Sequence, residues 1–195
     1  MTRPHLVLAS ASTTRLRVLR QAGFDPAVQV SDVDESVVAG LDAPSAVALL
    51  AERKARAVAS SFPDSLVLGC DSLVLHDGAV LGKPSSPTEA REWWRSMRRS
   101  TVVVWTGQCL AHHGVVTVRT TSARVHIGDV RDEEIDAYVR HEEPMQAAGA
   151  FKLDGLAAAF IDTIEGDPGT VHGVSVGELR SMLSDAGVEV HELWR

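Results

Sequence analysis

Short apolar runs of strand length alternate along this chain with segments of helical period, and one long β-rich pair interrupts the alternation. This pattern constrains the fold more than any other feature. Strict alternation builds a parallel sheet covered by helices, whereas an inserted hairpin brings antiparallel neighbours into it. An α/β fold with a mixed twisted sheet and flanking helices is expected. Residues 5–9 read as a buried strand. Ser10-Ala11-Ser12 then turns into a helix with Leu16, Leu19 and the stem of Arg20 on its apolar face, Ser12 as N-cap and Gly23 just past its end. Residues 27–30 read as a second strand, followed by Asp34-Glu35. Residues 45–60 read as an Ala-rich helix with Val47, Leu50, Lys54 and Val58 near one side.

Leu66-Val67-Leu68 leads through Gly69-Cys70 to Asp71, and Leu73-Val74-Leu75 continues to a turn at His76-Asp77-Gly78. After the loop Gly82-Lys83-Pro84, Ser86 as N-cap, Pro87 at N1 and Glu89 at N3 spell a capping box for a helix carrying Trp93, Trp94 and Met97. Residues 102–110 and 115–121 flank His113-Gly114 as a hairpin. Residues 132–139 read as a helix and 158–164 as a strand. Residues 175–183 read as a helix with a second capping box from Ser175 and Glu178, and 188–193 as a last strand.

A chain of 195 residues suits one domain spanning residues 1–195. Burial of roughly 70% of the extended-chain surface lets such a chain fold without staples or a structural metal. The 19 Lys and Arg face 26 Asp and Glu, a net charge of −7, and no basic run breaks the balance. A general binder of nucleic-acid backbone needs the opposite sign, so that class is excluded. Any phosphate must meet a few focused cations. Cys70 and Cys109 form no CxxC and have no His at zinc-ligand spacing, which excludes a disulfide framework and a structural zinc site. Met1 to Leu8 lack a long apolar stretch, and no run of 18 apolar residues occurs, so a cytoplasmic protein without a membrane partner is expected.

Two motifs imitate well-known sites. Gly78 to Lys83 has three residues between its glycines, not four, and Pro84 stands where a phosphate loop needs Ser or Thr; Lys83 can still act as a positioned charge. Gly173-Val174-Ser175-Val176-Gly177 matches a nucleophile elbow, with Asp185 and His191 in hydrolase order. The elbow requires a buried strand before its serine, and Gly166-Asp167-Pro168-Gly169 occupies that place. A different constellation carries more information. Short polar residues and Arg15 lie at a strand-to-helix turn, where helix amides bind anions. Asp34-Glu35 and Asp71 lie at strand ends, and Lys54 and Lys83 add cations on separate elements. Acids that hold a divalent metal and cations that hold a polyphosphate make a phosphate-ester site.

Leu8-Ala9-Ser10-Ala11-Ser12-Thr13-Thr14-Arg15 resembles the signature L-A-S-x-S-P-x-R of the Maf family of nucleotide pyrophosphatases. The resemblance continues through Val33-Asp34-Glu35, Lys54-Ala55, Gly69-Cys70-Asp71-Ser72, Leu81-Gly82-Lys83-Pro84, Trp105-Thr106-Gly107, Glu134-Ile135, Tyr138-Val139, Ala148-Gly149-Ala150-Phe151, Gly155 and Gly166-Asp167. These blocks keep family order over nearly the whole chain. The resemblance implies an elongated, two-lobed fold with a central cleft, like that of inosine triphosphatases. It also implies a cytoplasmic homodimer that uses Mg2+ or Mn2+ to hydrolyse nucleoside triphosphates to the monophosphate and pyrophosphate. By motif, Asp71 takes the proton of the attacking water and Glu35 is the metal or catalytic carboxylate beside it, both being metal ligands. Ser10, Ser12 and Arg15 contact phosphate, and Lys54 and Lys83 reach the triphosphate. Thr14, Ser72 and Asp154 occupy the positions tuned to the base.

The chain departs from the family pattern in places. Thr13 replaces the usual proline, and Thr14 stands where some branches carry a second arginine. Gln146-Ala147 replaces a frequent Asp-Lys, and Pro168-Gly169-Thr170 alters the loop after Asp167. Asp154 stands where the thymidine- and uridine-preferring branch carries glutamine, which leans towards another nucleobase. Two other roles suit the same blocks: a catalytically silent nucleotide-binding regulator of division or septum formation, and a housekeeping enzyme for inosine-type triphosphates.

Overall fold

In the computed structural model, which describes residues 4–195, seven strands and six α-helices follow one another in mixed order. They are β1 (Leu6–Leu8), α1 (Thr13–Gln21), β2 (Ala27–Val28), α2 (Ala43–Ala59), β3 (Leu66–His76), β4 (Ala79–Leu81) and α3 (Pro87–Met97), then β5 (Thr101–His112), β6 (Val115–Ile127), α4 (Asp132–Tyr138), β7 (Ile161–Gly166), α5 (Pro168–His172) and α6 (Val176–Asp185). The sheet order is β2-β1-β3-β5-β6-β7, with β4 also paired to β3. β1 runs parallel to β2 and β3, while β4 is antiparallel to β3 and β7 to β6, so the sheet is mixed as the broken alternation implies. Among the described residues no helix is long and apolar enough to cross a membrane.

The residues form two compact units. The first holds the chain up to Ser72 with Thr106–Thr121 and Gly173–Arg195; the second holds Leu73–Trp105 and Ser122–His172. In the first, the two-residue period of the strands divides the side chains between two cores. Leu6 and Leu8 of β1, Leu66, Leu68 and Cys70 of β3 and Leu110 of β5 join Leu19 of α1 and Leu179, Met182 and Leu183 of α6 on one face. Val7, Val67, Cys109 and Ala111 meet Ala51, Ala55 and Val58 of α2 on the other.

The second unit has its own core around Trp94, which packs edge-on against Tyr138 (5.1 Å between ring centroids) and Phe160 (5.6 Å). Its polar atoms find partners inside that core. The Trp94 indole donates to the Ala150 carbonyl at 2.9 Å, and the Tyr138 hydroxyl lies 2.9 Å from Glu143 Oε1 and 3.1 Å from the same carbonyl. Glu143 in turn accepts from the amides of Leu156 (2.8 Å) and Ala157 (3.1 Å). Burial, reinforced by the Glu143 charge, pushes the Tyr138 phenol far up.

Local signals hold best at helix starts and hairpins. Ser12, Ser86 and Ser175 each accept from the third amide of their helix, as N-caps do. His113 and Gly114 both take left-handed φ (47° and 79°), the geometry of a two-residue turn matched to strand twist. The two capping boxes are only half made. The Ser175 amide donates to Gln108 and not to Glu178, and Glu89 accepts from Ser85 and not from Ser86. The second strand ends at Val28, two residues short of expectation, and Asp34 caps a 3₁₀ turn over Glu35–Val38. Expected strand 158–164 begins only at Ile161, because Glu143 caps a 3₁₀ turn over Leu156–Phe160. Expected strand 188–193 is a 3₁₀ turn over Val190–Leu193, whose Leu193 is buried with the α6 core.

Candidate active site

The end of β3 in the first unit presents two faces, and a different helix supplies a cation to each. On the α2 side, Gly69 and Gly107 remove the side chains that would separate strand from helix. A Cβ on Gly69 would lie 2.2 Å from the Ala51 carbonyl oxygen, and one on Gly107 2.2 Å from that of Val47. The α2 backbone therefore lies directly on β3 and β5. Asp71, two residues beyond Gly69 and on the same face, comes within reach of Lys54.

Lys54 Nζ donates to Asp71 Oδ1 at 2.6 Å and to Glu35 Oε1 at 2.6 Å, so one ammonium bridges two carboxylates. The side chains of Lys54 and Asp71 are 11% and 10% exposed, whereas that of Glu35 is 63% exposed. Burial raises the Asp71 carboxyl above the ordinary aspartate range, Lys54 and Arg15 pull it back, and Glu35 pushes it up again. Higher proton affinity makes that carboxylate a better general base. The neighbouring thiol is no nucleophile: burial pushes Cys70 up to about 11.

On the other face, the Arg15 guanidinium straddles Asp71 along the chain. Nη1 donates to the Cys70 carbonyl (3.0 Å) and to Ser10 Oγ (3.1 Å), and Nη2 donates to Ser72 Oγ (3.0 Å). Nε donates to the Gly173 carbonyl at 2.9 Å. Ser72 Oγ also lies 2.8 Å from the hydroxyl of the buried Thr106. Ser10 Oγ further accepts from the Ser12 amide, and Ser12 caps α1 through the Arg15 amide. The amides of Thr13 and of half-buried Thr14 belong to the first turn, where no intrahelical acceptor exists.

Eight of the ten expected site residues belong to this unit, and hydrogen bonds join seven of them: Ser10, Ser12, Arg15 and Ser72 in one group, Glu35, Lys54 and Asp71 in the other. Lys83 and Asp154 belong to the second unit. Lys83 is exposed in the loop before α3, where the Gly82 carbonyl accepts from the Gly149 amide at 2.9 Å. Asp154 lies 4.0 Å from His172 Nδ1. Ser175 is a cap and no elbow: the short helix α5 precedes it, and its hydroxyl accepts from the Glu178 amide. Sequence reasoning placed Gly69, Thr106 and Gly107 in family blocks and Gly173 in a rejected elbow motif without giving any of them a role. It did not single out Gln108, whose one signal is a polar residue inside an apolar strand run.

The donor set suits a hard divalent cation. Glu35 and Asp71 each carry a second oxygen besides the one on Lys54. Mg2+ and Mn2+ bind through one or two carboxylates while phosphate and water complete the shell. Among the described residues no three His, Cys, Asp or Glu gather into a metal-sized cluster, so a bound ion would draw its other ligands from substrate and solvent.

The family model described as Maf-like protein matches residues 5–186. The chain is 47% identical to a nucleoside triphosphate pyrophosphatase of Nocardia farcinica, with 97% of this chain and 96% of the relative covered. It is 46% identical to a protein of the same name from Streptomyces coelicolor (98% and 95% covered) and 42% identical to one from Synechocystis sp. (98% and 99%). With that match over nearly its whole length, laid on a β3 end held by Lys54 and Arg15, the chain belongs to the Maf-like protein family.

Proposed function

We propose that this chain hydrolyses nucleoside triphosphates to the monophosphate and pyrophosphate, by attack of water on the α-phosphorus. The observation that carries the reading is the buried Asp71, held by Lys54 at 2.6 Å with its proton affinity raised by burial. A carboxylate of this kind can take the proton of an attacking water, and positioned bases contribute about 10²–10⁴-fold. Asp71 accepts the proton of the attacking water. Lys54 holds Asp71 and Glu35 in register and offsets charge as it develops on the phosphoryl oxygens. Ser10, Ser12 and Arg15 meet phosphate oxygens where the first amides of α1 favour an anion. Glu35 and Asp71 would hold Mg2+ or Mn2+, which on binding neutralises triphosphate charge and polarises the α-phosphoryl group.

The family pattern assigns Lys83 to the triphosphate tail and Thr14, Ser72 and Asp154 to the base. It also supports a homodimer acting on the cytoplasmic nucleotide pool through one domain spanning the chain. The test is a product assay over a panel of standard and deaminated triphosphates with each metal. Pyrophosphate and monophosphate in equal amounts are expected. Release of orthophosphate, or no turnover with any nucleotide, would overturn the reading.

A further inference from the structure

Gln108 is 1% exposed in the first unit, and its amide is spent on one backbone residue. Oε1 accepts from the Ser175 amide and Nε2 donates to the Ser175 carbonyl at 3.2 Å, so the side chain pairs with Ser175 as a neighbouring peptide would. Two residues earlier, Gly173 turns the chain at φ 87° and offers its carbonyl to Arg15 Nε at 2.9 Å. Any side chain there would collide with that arginine, because a Cβ would lie 2.9 Å from Nε and 3.0 Å from Ser72 Oγ. Val174, between the two anchors, is fully buried. The turn is therefore held by the buried Val174, by Arg15 and by its seat on Gln108, and Gln108 is the side chain that fixes its backbone at Ser175.

We propose that Gln108 is a positioning residue for Arg15: it seats the Gly173–Ser175 turn, and the turn sets the guanidinium across Asp71. Thr106 and Gln108 share one face of β5 and hold Arg15 from two sides, Thr106 through Ser72 and Gln108 through Gly173. An arginine has five N–H groups. Four of them go to Gly173, Ser10, Cys70 and Ser72, which leaves one N–H of Nη2 for a ligand oxygen. A donor with one remaining direction works only if its frame is fixed. Displacement of about 1 Å at such a group can cost on the order of 10²-fold in rate.

The inference rests on the proposed activity for its kinetic readout and on Arg15 itself for a second one. Gln108→Met keeps volume and removes both bonds; Gln108→Glu keeps the acceptor for the Ser175 amide and loses the donor. Each is expected to lower kcat about tenfold or more while the protein stays folded. In an Arg15→Lys background the same change should cost less than about twofold, because the two residues act as one unit. Losses that multiply in the double variant would mean that Gln108 merely stabilises the fold, and would overturn the proposal. Independently of turnover, the Arg15 Nε–H resonance, assigned by its disappearance in Arg15→Lys, should exchange at least about tenfold faster in Gln108→Met as its acceptor is released. An unchanged resonance in folded Gln108→Met or Gln108→Glu would sink the proposal. If wild-type protein released no pyrophosphate, the activity would fall while the resonance still decided the role of Gln108. If Gln108→Met failed to fold, Gln108→Glu would supply both readouts.

Discussion

In the first unit Ser10, Lys54, Asp71, Thr106, Gln108 and Ser175 are buried, and two of them, Lys54 and Asp71, form an ion pair. In the second unit His76 and Thr170 are the buried polar residues. Around Trp94 the polar atoms are its own indole, the Tyr138 hydroxyl and a backbone carbonyl, with Glu143 as the charged partner at the margin. Both units contain family blocks, yet the two sets do different work. Tyr138 and Ala150 join Trp94 and Glu143 in a network whose donors and acceptors meet within it. Lys54 and Asp71 are an exposed carboxylate away from solvent, held by an ammonium that two acids share. A buried ion pair contributes little net stability against its own desolvation. Its retention at the end of β3 fits reactivity, whereas the satisfied network around Trp94 fits stability.

The largest effect that can test this contrast is Trp94→Ala in the second unit. Loss of the indole, its two edge contacts and its bond to Ala150 is expected to cost about 3–5 kcal/mol in a denaturant melt. A cost below about 1 kcal/mol would deny that core its structural role. Asp71→Asn is the counterpart in the first unit. It should lower pyrophosphate release by about 10²-fold or more while the melt changes little. Retention of more than about a tenth of the rate would contradict a base at this position.

Lys83→Ala asks whether the second unit adds charge to substrate binding. A charge-assisted contact is worth about 1.5–3 kcal/mol, so affinity for a non-hydrolysable triphosphate should fall roughly tenfold to a hundredfold. Affinity for the matching monophosphate should not change, and equal losses would remove Lys83 from the phosphate tail. The smallest effect is expected from Ser86→Ala, which deprives the Glu89 amide of its cap. It should cost about 1 kcal/mol of stability and leave kcat as it was. A fall in kcat would mean that the start of α3 takes part in turnover.

Much of this protein was legible in local sequence because the forces that set it are local. A serine before a helical run caps it, a His-Gly pair between strands turns them, and alternating apolar residues assign faces without reference to distant parts of the chain. The ordered family blocks likewise named Asp71, Lys54, Glu35 and Arg15 from their letters alone. The partners of those residues were not legible. Nothing near Glu35 says that it meets Lys54, and nothing near Arg15 says that acceptors from residues 10, 70, 72 and 173 engage four of its five N–H groups. Gly69 and Gly107 stand in family blocks with no role of their own until α2 lies against them. The capping boxes at Ser86 and Ser175 were spelled correctly and left half made, because Ser85 and Gln108 offered competing bonds. Local pattern determined which elements form and which side chains share a face. Only tertiary packing decided which groups from distant segments compete for each hydrogen bond, since those energies exist only after the chain has closed on itself.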